Sequence, residues 1–299
     1  MTLPEPNGSF RWVQVGSLPA LLCRPLEPFA RHLFTTRAWS LGSSWSTPAD
    51  SPDSGWNDVS SAMGGGPSLS GPDRMSSGVS CSLVRAHQVH GRGILVHRDR
   101  ESRPPRPPEA DIIVSDATSV ALAVQTADCV PLLMADRRSG VIAAAHAGWR
   151  GLAVKVPATA VEALAREFGS RPDDLIAAVG PAIGACCYEI GLEVRERFDA
   201  GGFSAPEIER WFHERPQPTA RNPSMPALSS PARDGRWFFD TWRATRDQLA
   251  AAGVPPAQIH VAEVCTASHE LLCSYRRDGK GAGRMAGAIS RPTPPTPRP

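Results

Sequence analysis

The chain has 299 residues, of which 41% are hydrophobic and 21% charged, and its formal net charge is +2. These values describe a soluble globular protein with room for a large core, and the small charge argues against nucleic acid or an acidic membrane surface as a partner. No apolar run approaches the ~20 residues of a transmembrane helix, and the start MTLPEPNGSFRW lacks the pattern of a secretory signal, so a cytoplasmic protein is expected.

In chain order, Phe10 to Val15 and Leu18 to Cys23 read as early strands, and His32 to Arg37 as a further strand end. Trp39 to Ser80 is rich in Ser, Gly, Pro and Asp with almost no apolar periodicity, and is expected to be a disordered surface insertion. Cys81 to Val89 and Ile94 to His97 read as partner strands around His87-Gln-Val-His90-Gly91. A charged, proline-rich loop near 98–109 leads to two buried strands, Ala110 to Asp116 and Val120 to Thr126.

The apolar runs Val130 to Ala135 and Val141 to Ala145, joined by Asp136-Arg-Arg-Ser-Gly140, predict a hairpin buried on both faces. A centre near Arg138–Ser139 sets His146 opposite Pro131, with Cys129 two residues further along the same face. Such diagonal neighbours are about 7–8 Å apart at Cα, close enough to share one metal ion. A helix follows through Val154 to Phe168, stopped by Gly169. Leu175 to Val179 is a strand, 192–200 and 206–214 read as short helices, and 215–234 is a polar loop. Asp240 is placed to cap a helix from Thr241 to about Ala252, and Ile259 to Val264 is a strand. The proline-rich tail 291–299 reads as disordered. Strands in runs without regular βαβ alternation indicate an α+β, single-domain layered fold with mixed β-sheets flanked by helices, over residues 1–290.

Seven cysteines at irregular spacings, without a CxxC pair, read as reduced thiols. A thiolate and an imidazole are preferred zinc ligands, and a catalytic zinc has three protein ligands and one open position. Cys129 and His146 supply two. His87, His90, His97, His260 and His269 are candidates for the third, and spacing alone leaves His87 and His90 equal. Without a metal, Cys129 would be a nucleophile with His146 as its base. Asp128, beside the thiol, is a candidate orienting or acid–base group.

The segment Ser274-Tyr-Arg-Arg-Asp-Gly-Lys-Gly-Ala-Gly-Arg284, with Arg150, concentrates arginine and glycine in a way that suits a phosphate or carboxylate. It does not match a P-loop or a dinucleotide fingerprint. Cys186 and Cys187, read as adjacent strand residues, are expected to point apart and to serve packing.

The segments HQVHG (87–91), ADIIVSD (110–116), QTADCVPLLMAD (125–136), AHAGWRG (145–151), GPAIGACCYEIG (180–191) and SYRRDGKGAGRMA (274–286) together resemble the YfiH/laccase-domain family (DUF152). Its members are described as polyphenol oxidases, peptidoglycan editing factors and purine nucleoside phosphorylases. The resemblance implies a fold similar to that of a bacterial toxin deamidase, and a zinc ion on His90, Cys129 and His146. It implies phosphorolysis of adenosine, inosine, guanosine and methylthioadenosine with adenosine deamination as a side activity. A copper-dependent laccase or a peptidoglycan-precursor hydrolase is the alternative. Phosphate then falls to Arg37 (FTTR also matches the family), Arg150, Arg276, Arg277 and Arg284. A laccase needs clustered histidines, and eight scattered ones without an HxH pair argue against it. Two departures bear on the substrate: AWSLGSSWSTPADSPDSG replaces the family's GGVS and Asn-Leu-Gly segments, and Thr245 replaces an asparagine.

Overall fold

Continuous apolar runs become strands buried on both faces, and here that produces two stacked six-stranded sheets with helices outside them. The structure, a computed structural model, describes residues 2–42, 55–64, 81–98, 106–228 and 234–291. Its strands are β1 (Phe10–Val15), β2 (Leu18–Cys23), β3 (Arg31–Thr35), β4 (Ser82–Val84), β5 (Ile94–His97), β6 (Ile112–Ser115), β7 (Val120–Thr126) and β8 (Val130–Asp136). They continue with β9 (Ile142–Ala147), β10 (Leu175–Val179), β11 (Glu189–Gly191), β12 (Phe212–His213), β13 (Arg236–Phe239), β14 (Ile259–Val261) and β15 (Met285–Ser290). The α-helices are α1 (Trp56–Gly64), α2 (Trp149–Ala153), α3 (Val156–Phe168), α4 (Leu192–Ala200), α5 (Ala205–Trp211), α6 (Thr241–Ala251) and α7 (Tyr275–Asp278). None of the helices among the described residues is long and apolar enough to cross a membrane.

The first sheet runs β1-β2-β3-β15-β7-β4 and the second β14-β10-β8-β9-β6-β5, with a small third sheet β11-β13-β12. Both large sheets are mixed, because β4 is parallel to β7, β5 to β6 and β14 to β10 while the other pairs are antiparallel. The β8–β9 hairpin has the expected register, Pro131 opposite His146. Val130, Leu132 and Met134 pack beneath Ala160 and Leu164 of α3 and Leu249 of α6. Leu133 and Ala135 face the other way, onto Phe34, Leu122, Val124 and Ile289 of the first sheet. Burying each such aliphatic side chain contributes roughly 1.5–3 kcal/mol, so the hairpin is a rigid spine. Gly180 is a close contact between the layers: a Cβ there would lie 2.3 Å from the Phe34 ring.

The structure corrects two expectations, on the 39–80 insertion and on β4 and β5, and adds two features that the sequence did not show. The 39–80 insertion carries core residues: Trp39, Leu41, and Trp56, Val59 and Met63 of α1 are buried against Ala121, Ala123, Ala286 and Ala288. Their helical spacing is diluted by Ser and Asn, which hid it; residues 43–54 and 65–80 lie outside the described set. β4 and β5 are not partners but belong to different sheets, since the chain crosses between layers through 85–93. β15, composed of Met, Ala, Gly, Ile and Ser, has too little apolar bulk to stand out, yet it occupies the middle of the first sheet between β3 and β7. The loop after Arg215 is anchored, because the buried Asn222 donates from Nδ2 to the Glu263 carbonyl and accepts from the Cys265 N–H. The capping of α6 by Asp240 is as expected, its carboxylate accepting the Arg243 N–H.

Candidate metal centre

The site sits where β7 of the first sheet passes directly into β8 of the second. Ala127, Asp128 and Cys129 make that crossing, and Asp128 turns it with a left-handed φ of 86°. His146 stands on β9 on the face shared with Pro131, the face turned toward the first sheet, and Cys129 lies just before β8. His90 comes from the crossing between β4 and β5, also in a left-handed conformation, φ 60°. Non-glycine residues held there cost free energy and gather at functional sites. The ligating atoms of His90, Cys129 and His146 all lie within 4.8 Å of one another. The two imidazoles meet edge to face at 4.8 Å between centroids.

One carboxylate organises this triad, and it is a residue that the sequence reading passed over. Asp111 is fully buried just before β6. It accepts the N–H groups of Val89 (3.2 Å), His90 (3.1 Å) and Gly91 (2.7 Å), which pins the loop carrying His90. Its Oδ1 is also 2.8 Å from Nδ1 of His146, which turns Nε2 of that ring toward Cys129 and the cavity. Burial alone would raise the Asp111 carboxyl, but the His146 and backbone hydrogen bonds outweigh it and hold it below the usual carboxylate range. Burial likewise opposes charge on Cys129 and His146, yet their mutual attraction prevails. The thiol is lowered to about 6 by His146 and His90, and the imidazole is raised to about 9 by Cys129 and Asp111.

Gly148 completes the cradle by omission: a Cβ there would lie 2.7 Å from Cys129 Sγ and 3.2 Å from His90 Cδ2. Two imidazoles and a thiolate, one imidazole backed by a carboxylate, form a donor set able to hold one metal ion at the cavity wall.

The triad opens into a cavity of about 650 Å³. Arg150, Arg276 and Arg284 line it, as do Trp149, Tyr188 and Tyr275. Arg150 stacks 4.3 Å over the Trp149 ring and Arg276 5.1 Å over that of Tyr188. Arg276 is further held by donating from Nη1 to the Glu189 carbonyl at 2.6 Å. Asp128 accepts the Arg276 N–H at 2.6 Å and the Thr266 hydroxyl at 2.6 Å, so it anchors α7 at the cavity wall. Burial raises its carboxyl above the usual range. Gln88 and Gln125 meet across the mouth, the Gln88 amide bonding both the N–H and the C=O of Gln125.

Two of the five arginines expected to hold phosphate do not line this cavity. Arg277 is turned inward, donating to the carbonyls of Thr266, Ala267, His269 and Leu272 and pairing with Asp278. Arg37 pairs with the same Asp278 and with the Leu272 carbonyl. Both rivet the 266–278 segment, because carbonyls and a carboxylate reach them first. His87 is drawn away by its backbone bridge to Glu109. Thr245 is buried in α6, its hydroxyl donating to the Thr241 carbonyl at 2.7 Å.

The fold and site thus define a layered protein built on two large sheets, with a candidate His/Cys/His metal centre at the seam of those sheets. A family model described as multi-copper polyphenol oxidoreductase laccase matches residues 73–292. The chain belongs to this family, the YfiH/laccase-domain family. It is 34% identical over 180 residues to a Bacteroides thetaiotaomicron protein named purine nucleoside phosphorylase, covering 60% of each chain. Over 182 residues it is 34% identical to adenosine deaminase RL5, from an unknown prokaryotic organism, covering 60% of this chain and 62% of that one. The chain thus matches under two thirds of the length of either relative. The crystal structure of a Bacillus licheniformis hypothetical protein, YfiH, has the same fold, with a TM-score of 0.73, 24% identity, and coverage of 95% of this chain and 99% of that one.

Proposed function

We propose that the protein is a zinc-dependent purine nucleoside phosphorylase. The observation that carries this reading is that one cavity joins a His/Cys/His donor set to Arg150, Arg276 and Arg284 and to aromatic walls. A nucleoside and inorganic phosphate need these surfaces together: arginine forks for the phosphate oxygens and flat rings for the purine.

In phosphorolysis a phosphate oxygen forms a bond to C1′ of the ribose as the glycosidic C–N bond breaks. The bonding pair leaves with the purine, which takes up a proton. Arg150 and Arg276, each braced on an aromatic ring, hold the phosphate with Arg284 and offset its charge. The Tyr188 hydroxyl, kept protonated by burial, is a hydrogen-bond donor in the same wall. The amides of Gln88 and Gln125 supply hydrogen bonds at the mouth. Zn2+ on His90, Cys129 and His146 would supply a Lewis acid and, at its open position, an activated water. That second property supports adenosine deamination as a side activity, in keeping with the name of one relative. A multicopper laccase is less well supported: among the described residues only one cluster of candidate metal ligands contains histidine.

The test is turnover of inosine and adenosine by protein of known metal content, with and without phosphate. Phosphate-dependent release of hypoxanthine and adenine is expected, and its loss in Cys129→Ala. Oxygen uptake on phenols without base release would favour the oxidase, and turnover indifferent to phosphate a hydrolase.

A further inference from the structure

Cys186 and Cys187 depart from their sequence reading. They lie in a tight turn rather than a strand, with the N–H groups of Cys187 and Tyr188 both directed at the Gly184 carbonyl. Adjacent side chains need not diverge in a turn. Both thiols meet Cys265, which follows β14, and the three sulfur atoms lie within 4.8 Å of one another. All three residues are buried, in a pocket closed by Ile183, Ala267, Met225 and Trp242.

Polar groups lie against this sulfur cluster. The Gly184 N–H points at Cys265 Sγ (3.4 Å), and Ser268 Oγ, whose proton goes to the Pro223 carbonyl (2.7 Å), accepts from the thiols of Cys186 (3.6 Å) and Cys187 (3.4 Å). Three soft sulfur donors converging in a buried apolar pocket suit one soft cation. With metal–sulfur bonds of about 2.3 Å, three sulfurs around one ion sit ~4 Å apart, a spacing this cluster meets with little movement. A disulfide between Cys186 and Cys187 fits poorly. Consecutive Cα atoms across a trans peptide are about 3.8 Å apart, below the usual disulfide range.

We propose that Cys186, Cys187 and Cys265 form a second metal site, a trithiolate pocket for one Cu(I) ion. No histidine or carboxylate joins this group among the described residues. A structural zinc site asks for four strong donors, whereas purely soft donors in a dry pocket select Cu(I). The thioether of Met225, packed against the same pocket, adds to that softness. Coordination replaces thiol protons, which are released to solvent, and requires no oxidant.

The test uses the full reduced chain carrying Cys129→Ala, which removes the thiolate of the other centre. It is titrated with Cu(I) without oxygen, against a chromophoric Cu(I) chelator. One Cu(I) per chain is expected, with affinity at least ~100-fold weaker when Cys187→Ser or Cys265→Ser is added. No copper retained against the chelator, or retention unaffected by either serine, overturns the proposal. Copper-edge X-ray absorption on the Cys129→Ala protein needs no second substitution. A first shell of sulfur supports the site, and a nitrogen or oxygen shell overturns it. Counting thiols in the denatured, unreduced wild-type chain gives a further check: seven are expected, and five would mark a disulfide in place of a metal site.

Discussion

Asp111 and His146 form the relationship on which the centre depends: Oδ1 of the carboxylate lies 2.8 Å from Nδ1 of the ring, with both side chains buried. Because the same carboxylate takes the N–H groups of residues 89–91, it aims one ligand and fixes the loop bearing another. Asp111→Asn keeps the size but removes the charge. Zn2+ affinity, measured by competition with a chelator, is expected to fall roughly 10–100-fold. Unchanged affinity would mean that the imidazole is aimed by packing alone.

Arg150 and Arg277 should separate cleanly. Arg150→Ala is expected to raise the KM for phosphate by about tenfold or more with little change in thermal stability, since its guanidinium rests on Trp149 at the cavity. Arg277→Ala leaves four backbone carbonyls without their donor and is expected to cost about 2–3 kcal/mol of stability. Steady-state kinetics alongside denaturant unfolding reads both effects, and a reversed pattern would refute the assignment.

The metal-free protein should carry Cys129 and His146 as an ion pair that a titration reads directly. The Cys129 thiol is depressed to about 6, so its contribution is lost as pH falls through that value. The His146 imidazole is raised to about 9, so its contribution is present at low pH and lost as pH rises through 9. The pair is therefore thiolate and imidazolium between about 6 and 9. The thiol's gain and the imidazole's loss nearly cancel as pH rises, so Tm of the chelator-treated protein is expected to stay level, while its ultraviolet thiolate absorbance rises through about pH 6, a step absent from Cys129→Ala. A thiolate step near the ordinary 9.0 would rule out the ion pair.

Gly148 has an ordinary φ of −72°, so its importance lies in space rather than backbone freedom. Gly148→Ala would set a methyl group 2.7 Å from Cys129 Sγ. Loss of most bound Zn2+ from a chain that still folds is the expected outcome, read by metal analysis and circular dichroism.

Much of this was legible in the sequence, for particular reasons. The β8–β9 hairpin announced itself because both faces of its strands are buried, and its polar turn fixed the register that pairs His146 with Pro131. Asp111 escaped notice because an aspartate before an apolar run reads as a turn residue, and its partners lie far off in sequence. Trp56 and Met63 were obscured by the polar residues between them, although they cover the first sheet. The arginines could be gathered from composition, but whether each meets solvent, carbonyl or cavity depends on where Asp278 and the 266–272 carbonyls lie. The cysteine triad was invisible because a turn, not a strand, carries Cys186 and Cys187.

The position of β15 sets a timetable for biosynthesis. Phe34 and Val124 both pair with Gly287, so the middle of the first sheet stays vacant until nearly the last described residues have been made. Until then β3 and β7 present open edges to any neighbouring chain. α7, which carries Arg276 to the cavity, arrives on the ribosome just ahead of that strand. A nascent chain would therefore hold the His/Cys/His group long before it could close the sheet or complete the cavity wall, so the proposed activity would switch on only with synthesis of the β15 segment.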